Sequence, residues 1–143
     1  MADILHKIDI EATPDKVYSA VSSNHGLKSW WTTDVSGDSK KGSVLNFGFY
    51  NHSFTFEMYV DELIPDKTIR WKCIGGVAAD EWKDTKLLWE IIPKDGNQTT
   101  LRFSHTGWPS TGDYYSRCNT TWGHLMFLLK DYAERGTVNP YFT

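Results

Sequence analysis

The chain has 143 residues, of which 40% are hydrophobic and 23% charged, and this composition is typical of one globular domain over residues 1–143. The formal net charge is -3 and no basic stripe is present, so we expect no nucleic-acid partner. The two cysteines, Cys73 and Cys118, lack the spacing of a zinc site, and we expect neither a bound metal nor a cofactor.

The first residues alternate as a half-buried strand does. Ile4, His6, Ile8 and Ile10 share one face, and charged or longer side chains lie on the other. This pattern begins without a signal peptide, and no stretch of the sequence is apolar over a length that spans a bilayer. We therefore expect a cytoplasmic protein that does not enter membranes.

Two short helices are expected after this strand. Thr13 is a good N-cap and Pro14 suits the first helical position, so a helix starts there. Residues 24–26, Asn-His-Gly, are predicted to break it. A second helical turn is then expected to carry Leu27 and two adjacent tryptophans, Trp30 and Trp31.

Five strand-like segments follow a polar turn at 37–42, and each alternates between apolar and polar side chains. For segment 85–92, the sequence leaves open which side chains point into the core, because Leu87 and Trp89 alternate with Leu88 and Glu90. If Glu90 points inward, its carboxylate needs a partner. A loop is expected at 75–84. The five segments are 44–50, 54–60, 68–74, 85–92 and 99–105.

The last segment, 113–135, changes to a helical period, and Gly136 is expected to be its C-cap. Strands this close in sequence pair as antiparallel hairpins, and one face of their sheet must be covered. The predicted class is α+β: a curved antiparallel sheet of about six or seven strands wrapped around a long C-terminal helix, with two short helices after the first strand. The apolar helix positions are Trp122, Leu125, Met126, Leu129, Tyr132 and Ala133.

These elements resemble the START-like, or SRPBCC, helix-grip superfamily, in particular its branch related to the activator of heat-shock-protein ATPase. The residues from Thr13 to Tyr18 are similar to the opening of that branch's first helix, and Leu27-x-x-Trp30-Trp31 is similar to its Leu-x-x-Trp segment. Residues 99–108 resemble its last strand. The final helix departs from the pattern, because Trp122-Gly123 stands where the branch has Gly-Trp.

The resemblance covers about residues 3 to 135 and implies a cavity between the sheet and the last helix. Pockets for small ligands are mostly apolar with a few polar groups, and large rings either line such a space or fill it. We therefore predict binding of a small lipophilic ligand by aromatic and neighbouring residues of these elements. The candidate ligand-binding residues are Trp31, Phe47, Phe56, Met58, Trp71, Trp89, Phe103, His105, Trp122 and Met126.

His105 leaves the class of function open. An inward histidine can orient a ligand or transfer a proton, so an enzyme of the cyclase or isomerase kind is one alternative. It is more often a core residue with its hydrogen bonds satisfied, and no residue is assigned a catalytic role. Tyr114 and Tyr115 are further candidates for polar groups in the cavity.

Protein interaction is the other alternative, because the superfamily includes chaperone activators as well as lipid carriers and cyclases. Such a module needs an exposed patch. Trp30, Trp31 and Trp82 are candidates for that patch if they lie at the surface. Binding of a lipophilic molecule ranks first, a protein partner second and catalysis third, and both a monomer and a homodimer are compatible with the sequence.

Overall fold

Seven antiparallel strands form one sheet in the computed structural model, which describes residues 2–143. Their order across the sheet is β1-β7-β6-β5-β4-β3-β2, so every neighbour is adjacent in sequence except the pair β1–β7. The predicted α+β class is confirmed. The strands are β1 Ala2–Ile10, β2 Asp34–Gly37, β3 Val44–Phe49, β4 Phe54–Ile64, β5 Thr68–Gly75, β6 Lys86–Lys94 and β7 Gln98–Trp108.

Two short helices follow β1, as predicted: α1 spans Pro14–Ser22 and α2 spans Asn24–Trp30. The predicted break at 24–26 is wrong by one residue. The break is Ser23, which has extended backbone and accepts a hydrogen bond from the Gly26 amide at 2.9 Å as the N-cap of α2. Gly26 serves close packing of α2 on α1 instead, because a Cβ there would lie 2.6 Å from the Ala20 carbonyl oxygen.

The edge strand β2 is the one strand that the sequence did not predict. It has only four residues and pairs with β3, with Asp34 opposite Gly48 and Gly37 opposite Leu45. A segment this short carries too little alternation to be recognised. Gly37 ends it with φ +98, and a side chain there would meet the Val44 carbonyl oxygen.

In β6, the side chains of Leu87 and Trp89 point into the core and that of Glu90 points outward. Leu87, Trp89 and Ile91 are buried, and Glu90 is exposed on the outer face. Trp89 lies opposite Phe103 of β7. The inner face of the sheet is therefore apolar on β6 as well, and no carboxylate from this strand enters the core.

The long helix α3, Asp113–Arg135, covers the inner face of the curled sheet with the bounds that the sequence predicts. Its buried residues include Trp122, Leu125 and Leu129, and its dipole ends at Gly136, which adopts the left-handed conformation with φ 71. Between residues 2 and 143, no helix has the length and apolar character needed to cross a membrane.

Aromatic rings fill the middle of the space between the sheet and α3. All seven tryptophans are buried. Trp122 of α3 lies 4.3 Å from Phe103 and 5.1 Å from Trp31 between ring centroids, and Trp31 lies 4.6 Å from Phe47. Because Trp30, Trp31 and Trp82 are only 0%, 2% and 4% exposed, they cannot form the surface patch considered for a protein partner.

Candidate functional site: an apolar cavity at the N-terminal half of the long helix

An open cavity of about 320 Å³ lies beside the aromatic core, between the sheet and the first half of α3. Its volume is at the lower end of the range of ~300–1,000 Å³ that small-ligand pockets occupy. Most of its lining is aromatic. The lining residues are Trp31, Phe49, Tyr50, Phe54, Phe56, Trp82, Tyr114, Arg117, Cys118, Thr121, Trp122, Leu125 and Phe142.

The loop between β5 and β6 supplies one wall. Gly76 lets this loop approach β4, since a Cβ there would lie 2.1 Å from the Thr55 carbonyl oxygen, and the Val77 amide donates to the Thr55 hydroxyl at 2.8 Å. The loop then turns Trp82 inward, where its ring stacks on Phe56 at 3.7 Å with an interplanar angle of 9°. The wall is thus a fixed stack of two rings.

The first half of α3 supplies the opposite wall at helical spacing. Tyr114, Cys118, Thr121 and Leu125 follow one another by three or four residues, so they share the face that also carries Trp122. Side chains at this spacing project from one side of the helix toward the cavity.

The C-terminal segment completes the cavity through Phe142. Its backbone is bound to α2 and the residues after it: the Phe142 amide donates to the Trp31 carbonyl at 2.9 Å, and the Thr33 amide donates to the Phe142 carbonyl at 3.2 Å. The Phe142 ring then meets Phe49 at 4.8 Å in an edge-to-face arrangement. One wall of the cavity therefore depends on the last residues of the chain.

Few polar groups line the cavity, and Arg117 is the charged one among them. Burial raises the pKa of the Tyr114 hydroxyl and the pKa of the Cys118 thiol. Cys118 is therefore a protonated thiol near neutral pH and not the thiolate that nucleophilic chemistry requires. Both groups are suited to bind a ligand by hydrogen bonds rather than to react with it.

His105 is fully buried between Thr85 and Trp122, and both of its ring nitrogens are engaged. The Thr85 hydroxyl donates to the Trp82 carbonyl at 2.5 Å, so the His105 Nε2–H must donate to Thr85 Oγ1 at 2.8 Å. Its Nδ1 then accepts the Trp122 indole N–H at 3.2 Å. Burial lowers the pKa of His105 to about 3. A neutral ring with no free nitrogen is not placed to act as an acid or base toward the cavity.

The structure divides the ten candidate residues between the cavity and the packed core. Trp31, Phe56 and Trp122 line the cavity. The other seven are buried in the core without lining it: Phe47, Met58, Trp71, Trp89, Phe103, His105 and Met126. Of the two tyrosines considered as polar groups, Tyr114 lines the cavity and Tyr115 instead donates to the Asp3 carbonyl at 2.7 Å.

Several lining residues were missed because they lie in loops or at the ends of elements. Trp82 lies in a turn-rich loop and Phe142 in the C-terminal segment, and neither segment has a period that predicts facing. On α3 the sequence did contain a signal for two of the missed lining residues. Cys118 lies four residues before Trp122, and Thr121 lies four residues before Leu125, so each pair shares one face of the helix.

A second, polar depression of about 380 Å³ lies at the turn after β3 and shares Phe49 and Tyr50 with the cavity. It contains the pair His52–Asp34, with 2.6 Å between Nδ1 and Oδ2. His52 and Asp34 have side chains that are 64% and 40% exposed, so this depression buries little surface of a ligand. Within residues 2–143, no group of three or more His, Cys, Asp or Glu side chains could hold a metal ion.

A curled antiparallel sheet that grips one long C-terminal helix around a central apolar space defines the helix-grip class. Residues 11–134 match the family described as "Activator of Hsp90 ATPase homolog 1-like protein", and the chain belongs to that family. No curated protein matches the chain.

Solved structures agree with this assignment. The chain is similar to the Aha1 dimer of Colwellia psychrerythraea, a solution structure, with 37% identity and a TM-score of 0.83 over 95% of this chain and 98% of that one. DynU16, described as a putative protein in the dynemicin biosynthetic locus, is 19% identical with a TM-score of 0.78, and the match covers 97% of this chain but 49% of DynU16. CalU16 from Micromonospora echinospora is 17% identical with a TM-score of 0.68, over 96% of this chain and 77% of CalU16. The last two likenesses show the fold alone.

Proposed function

We propose that the protein binds a small lipophilic molecule in the cavity beside α3. The observation that carries this proposal is an open, largely aromatic space of about 320 Å³ in a protein whose neighbouring core is densely filled with rings. Apolar surface of a ligand is removed from water against these rings, and the few neutral polar groups fix its orientation. The site residues proposed to contact the ligand are Trp31, Phe56, Trp122 and Tyr114 from the sequence prediction, with Trp82 and Cys118 added from the cavity lining.

The other candidate residues support this cavity rather than touch its contents. Phe103 and Trp89 pack against Trp122 at 4.3 Å and 5.8 Å between ring centroids, and His105 accepts its indole N–H. These contacts hold the Trp122 ring in one orientation. A preformed wall loses little conformational entropy when a ligand binds, which favours affinity.

Native mass spectrometry with a mixed panel of lipophilic molecules tests the proposal. A ligand of about twenty heavy atoms that gains ~0.3 kcal/mol per atom binds with a Kd of tens of micromolar, so each compound is added at ~100 μM. We expect a one-to-one adduct with at least one chemical class. The absence of any adduct across the panel would contradict the proposal for that range of compounds.

A pair of variants on α3 assigns the adduct to the cavity. Thr121→Trp places a large ring in the cavity, while Thr120→Trp, one residue earlier, places the same ring on the exposed side of the helix. We expect the first variant to lose the adduct and the second to keep it. Equal binding by both variants would place the ligand elsewhere on the protein.

Protein interaction is a second candidate, favoured by the 37% identity to the Aha1 dimer and by exposed apolar groups on the outer side of α3. Phe127 is 64% exposed and lies one turn after His124, whose ring meets the 43% exposed Tyr141 at 5.0 Å. Such groups suit a partner surface. Measuring the ATPase rate of an Hsp90-type chaperone with wild-type protein and with Phe127→Ser tests this candidate: stimulation that the variant loses supports it, and an unchanged rate with wild-type protein rejects it.

A further inference from the structure

We propose that the preferred ligand of this cavity is an anionic lipophile, an apolar molecule that carries one carboxylate. The inference rests on the proposed function, because it names the chemical class that the same cavity selects. It is carried by two groups of the lining that only donate hydrogen bonds, the indole of Trp82 and the guanidinium of Arg117.

Arg117 is the charged residue of the lining. Its guanidinium forms no salt bridge within residues 2–143, although other basic side chains of the protein do. The side chain is exposed at the mouth of the cavity, so a carboxylate bound there stays partly in water while its apolar body enters the aromatic space. A guanidinium binds a carboxylate through two parallel hydrogen bonds, which a neutral head group cannot reproduce.

Trp82 adds a buried donor deeper in the same cavity. The residue is 4% exposed, and its indole Nε1–H has no hydrogen-bond partner among the residues that the structure describes. An indole N–H can only donate, and an acceptor group of a ligand in the cavity would supply the partner that this N–H lacks. Trp82 lies beside Tyr114 and Cys118, whose O–H and S–H groups interact with each other and with the indole at the cavity wall.

The cavity lies near the amino end of α3, which carries partial positive charge and so has the same sign as Arg117. Tyr114, Arg117 and Cys118 belong to the first two turns of the helix, whose N-cap Gly112 provides no side-chain hydrogen bond. The amino end of a helix carries partial positive charge, which favours an anion nearby. The described lining contains no carboxylate that would oppose this preference.

Asp113 precedes Tyr114 in the first turn of α3. Glu81 also lies close to these residues, and its charge contributes to raising the pKa of Tyr114 and of Cys118 after the larger effect of burial. It does not line the cavity, and the Ser110 hydroxyl lies 3.5 Å from its carboxylate. Glu81 therefore weakens the attraction for an anion without occupying the site. Removing its charge should strengthen carboxylate binding.

The experiment compares decanoic acid, 1-decanol and decylamine, which share one alkyl chain and differ in the charge of the head group. Binding is measured by isothermal titration calorimetry or tryptophan fluorescence at neutral pH and low ionic strength. We expect decanoic acid to bind about tenfold more tightly than 1-decanol, the gain typical of a charge-assisted hydrogen bond, and decylamine to bind most weakly.

Four variants locate the preference. Arg117→Gln should remove the tenfold preference for the carboxylate, and Arg102→Gln, which deletes the same charge on the outer face of β7, should keep it. Trp82→Phe retains the ring stack on Phe56 and should weaken decanoic acid about fivefold through loss of the N–H donor. Glu81→Gln should tighten decanoic acid and leave 1-decanol unchanged. Circular dichroism spectra that match the wild type show that each variant is folded.

The outcomes separate this inference from the proposal on which it rests. Equal binding of all three compounds, or a preference that survives Arg117→Gln, overturns the anionic ligand and leaves lipophilic binding in place. If none of the three compounds binds, both the proposed lipophilic binding and the preference for a carboxylate are overturned for alkyl ligands.

Discussion

Acidification should destabilise this protein through His105 before its carboxylates titrate. In the folded protein, burial lowers the pKa of His105 to about 3, while in the unfolded chain the pKa of this histidine has its ordinary value of ~6.5. The unfolded state therefore binds a proton first as the pH falls. The stability from the neutral ring is fully present above ~pH 6.5 and is lost progressively below it.

The magnitude follows from the two pKa values. Between pH 7 and pH 5, the linkage relation gives a loss of about 2 kcal/mol from His105 alone, a large part of the 5–15 kcal/mol of a typical domain. The physical cause is visible in the contacts: a protonated ring would place an Nδ1–H against the Trp122 indole N–H, donor against donor, in a site that water does not reach.

Urea unfolding at pH 7, 6 and 5, followed by tryptophan fluorescence, measures this loss as a change in the free energy of unfolding. His105→Asn is the matched variant, because its side-chain oxygen can still accept the Trp122 N–H but cannot be protonated near these pH values. We expect the variant to be less stable at pH 7 and to have lost about 2 kcal/mol of the pH dependence. If both proteins show the same pH dependence, the reasoning about His105 is wrong.

Two glycines yield opposite predictions for the free energy of unfolding, and the same urea assay checks both. Gly26→Ala should cost about 1–3 kcal/mol, because its Cβ would lie 2.6 Å from the Ala20 carbonyl oxygen, where neither helix can yield without moving. Gly123→Ala should instead stabilise by roughly 0.5–1 kcal/mol, because it raises helix propensity inside α3 and its Cβ meets only His6, at 3.5 Å. If Gly26→Ala is more stable than the wild type, or if Gly123→Ala costs as much stability as Gly26→Ala, then close packing of α1 and α2 at Gly26 is not what constrains that position.

Regular alternation made the sheet and the long helix predictable. Burial of alternate residues along most of β3 to β7 produces a period of two, and burial of one stripe in α3 produces a helical period, so the sequence shows both directly. The helix bounds Asp113–Arg135 were predicted for this reason. Strand β2 depends instead on its pairing with β3, which a local pattern does not contain. The start of α2 is set by the local N-cap Ser23, a serine that the predicted break at 24–26 did not take into account.

The cavity was harder to predict than the fold, because alternation shows that a side chain faces inward but not whether it meets another side chain or empty space. Trp89 and Trp31 both face inward. Trp89 is enclosed by Phe103 and Trp71, while Trp31 borders the cavity. The difference is set by the β5–β6 loop and the C-terminal segment, whose positions depend on backbone contacts such as that of Gly76 with Thr55.

The packed middle of the protein and the cavity at its side are two consequences of the same aromatic composition. Phe103 and Trp89 leave no room for a ligand under the centre of α3, and by filling that space they fix Trp122, which forms the inner wall of the cavity. The outer wall is Phe142, which is held by backbone hydrogen bonds to Trp31 and Thr33 and by contact of its ring with Phe49, so this wall depends on residues outside the sheet and α3.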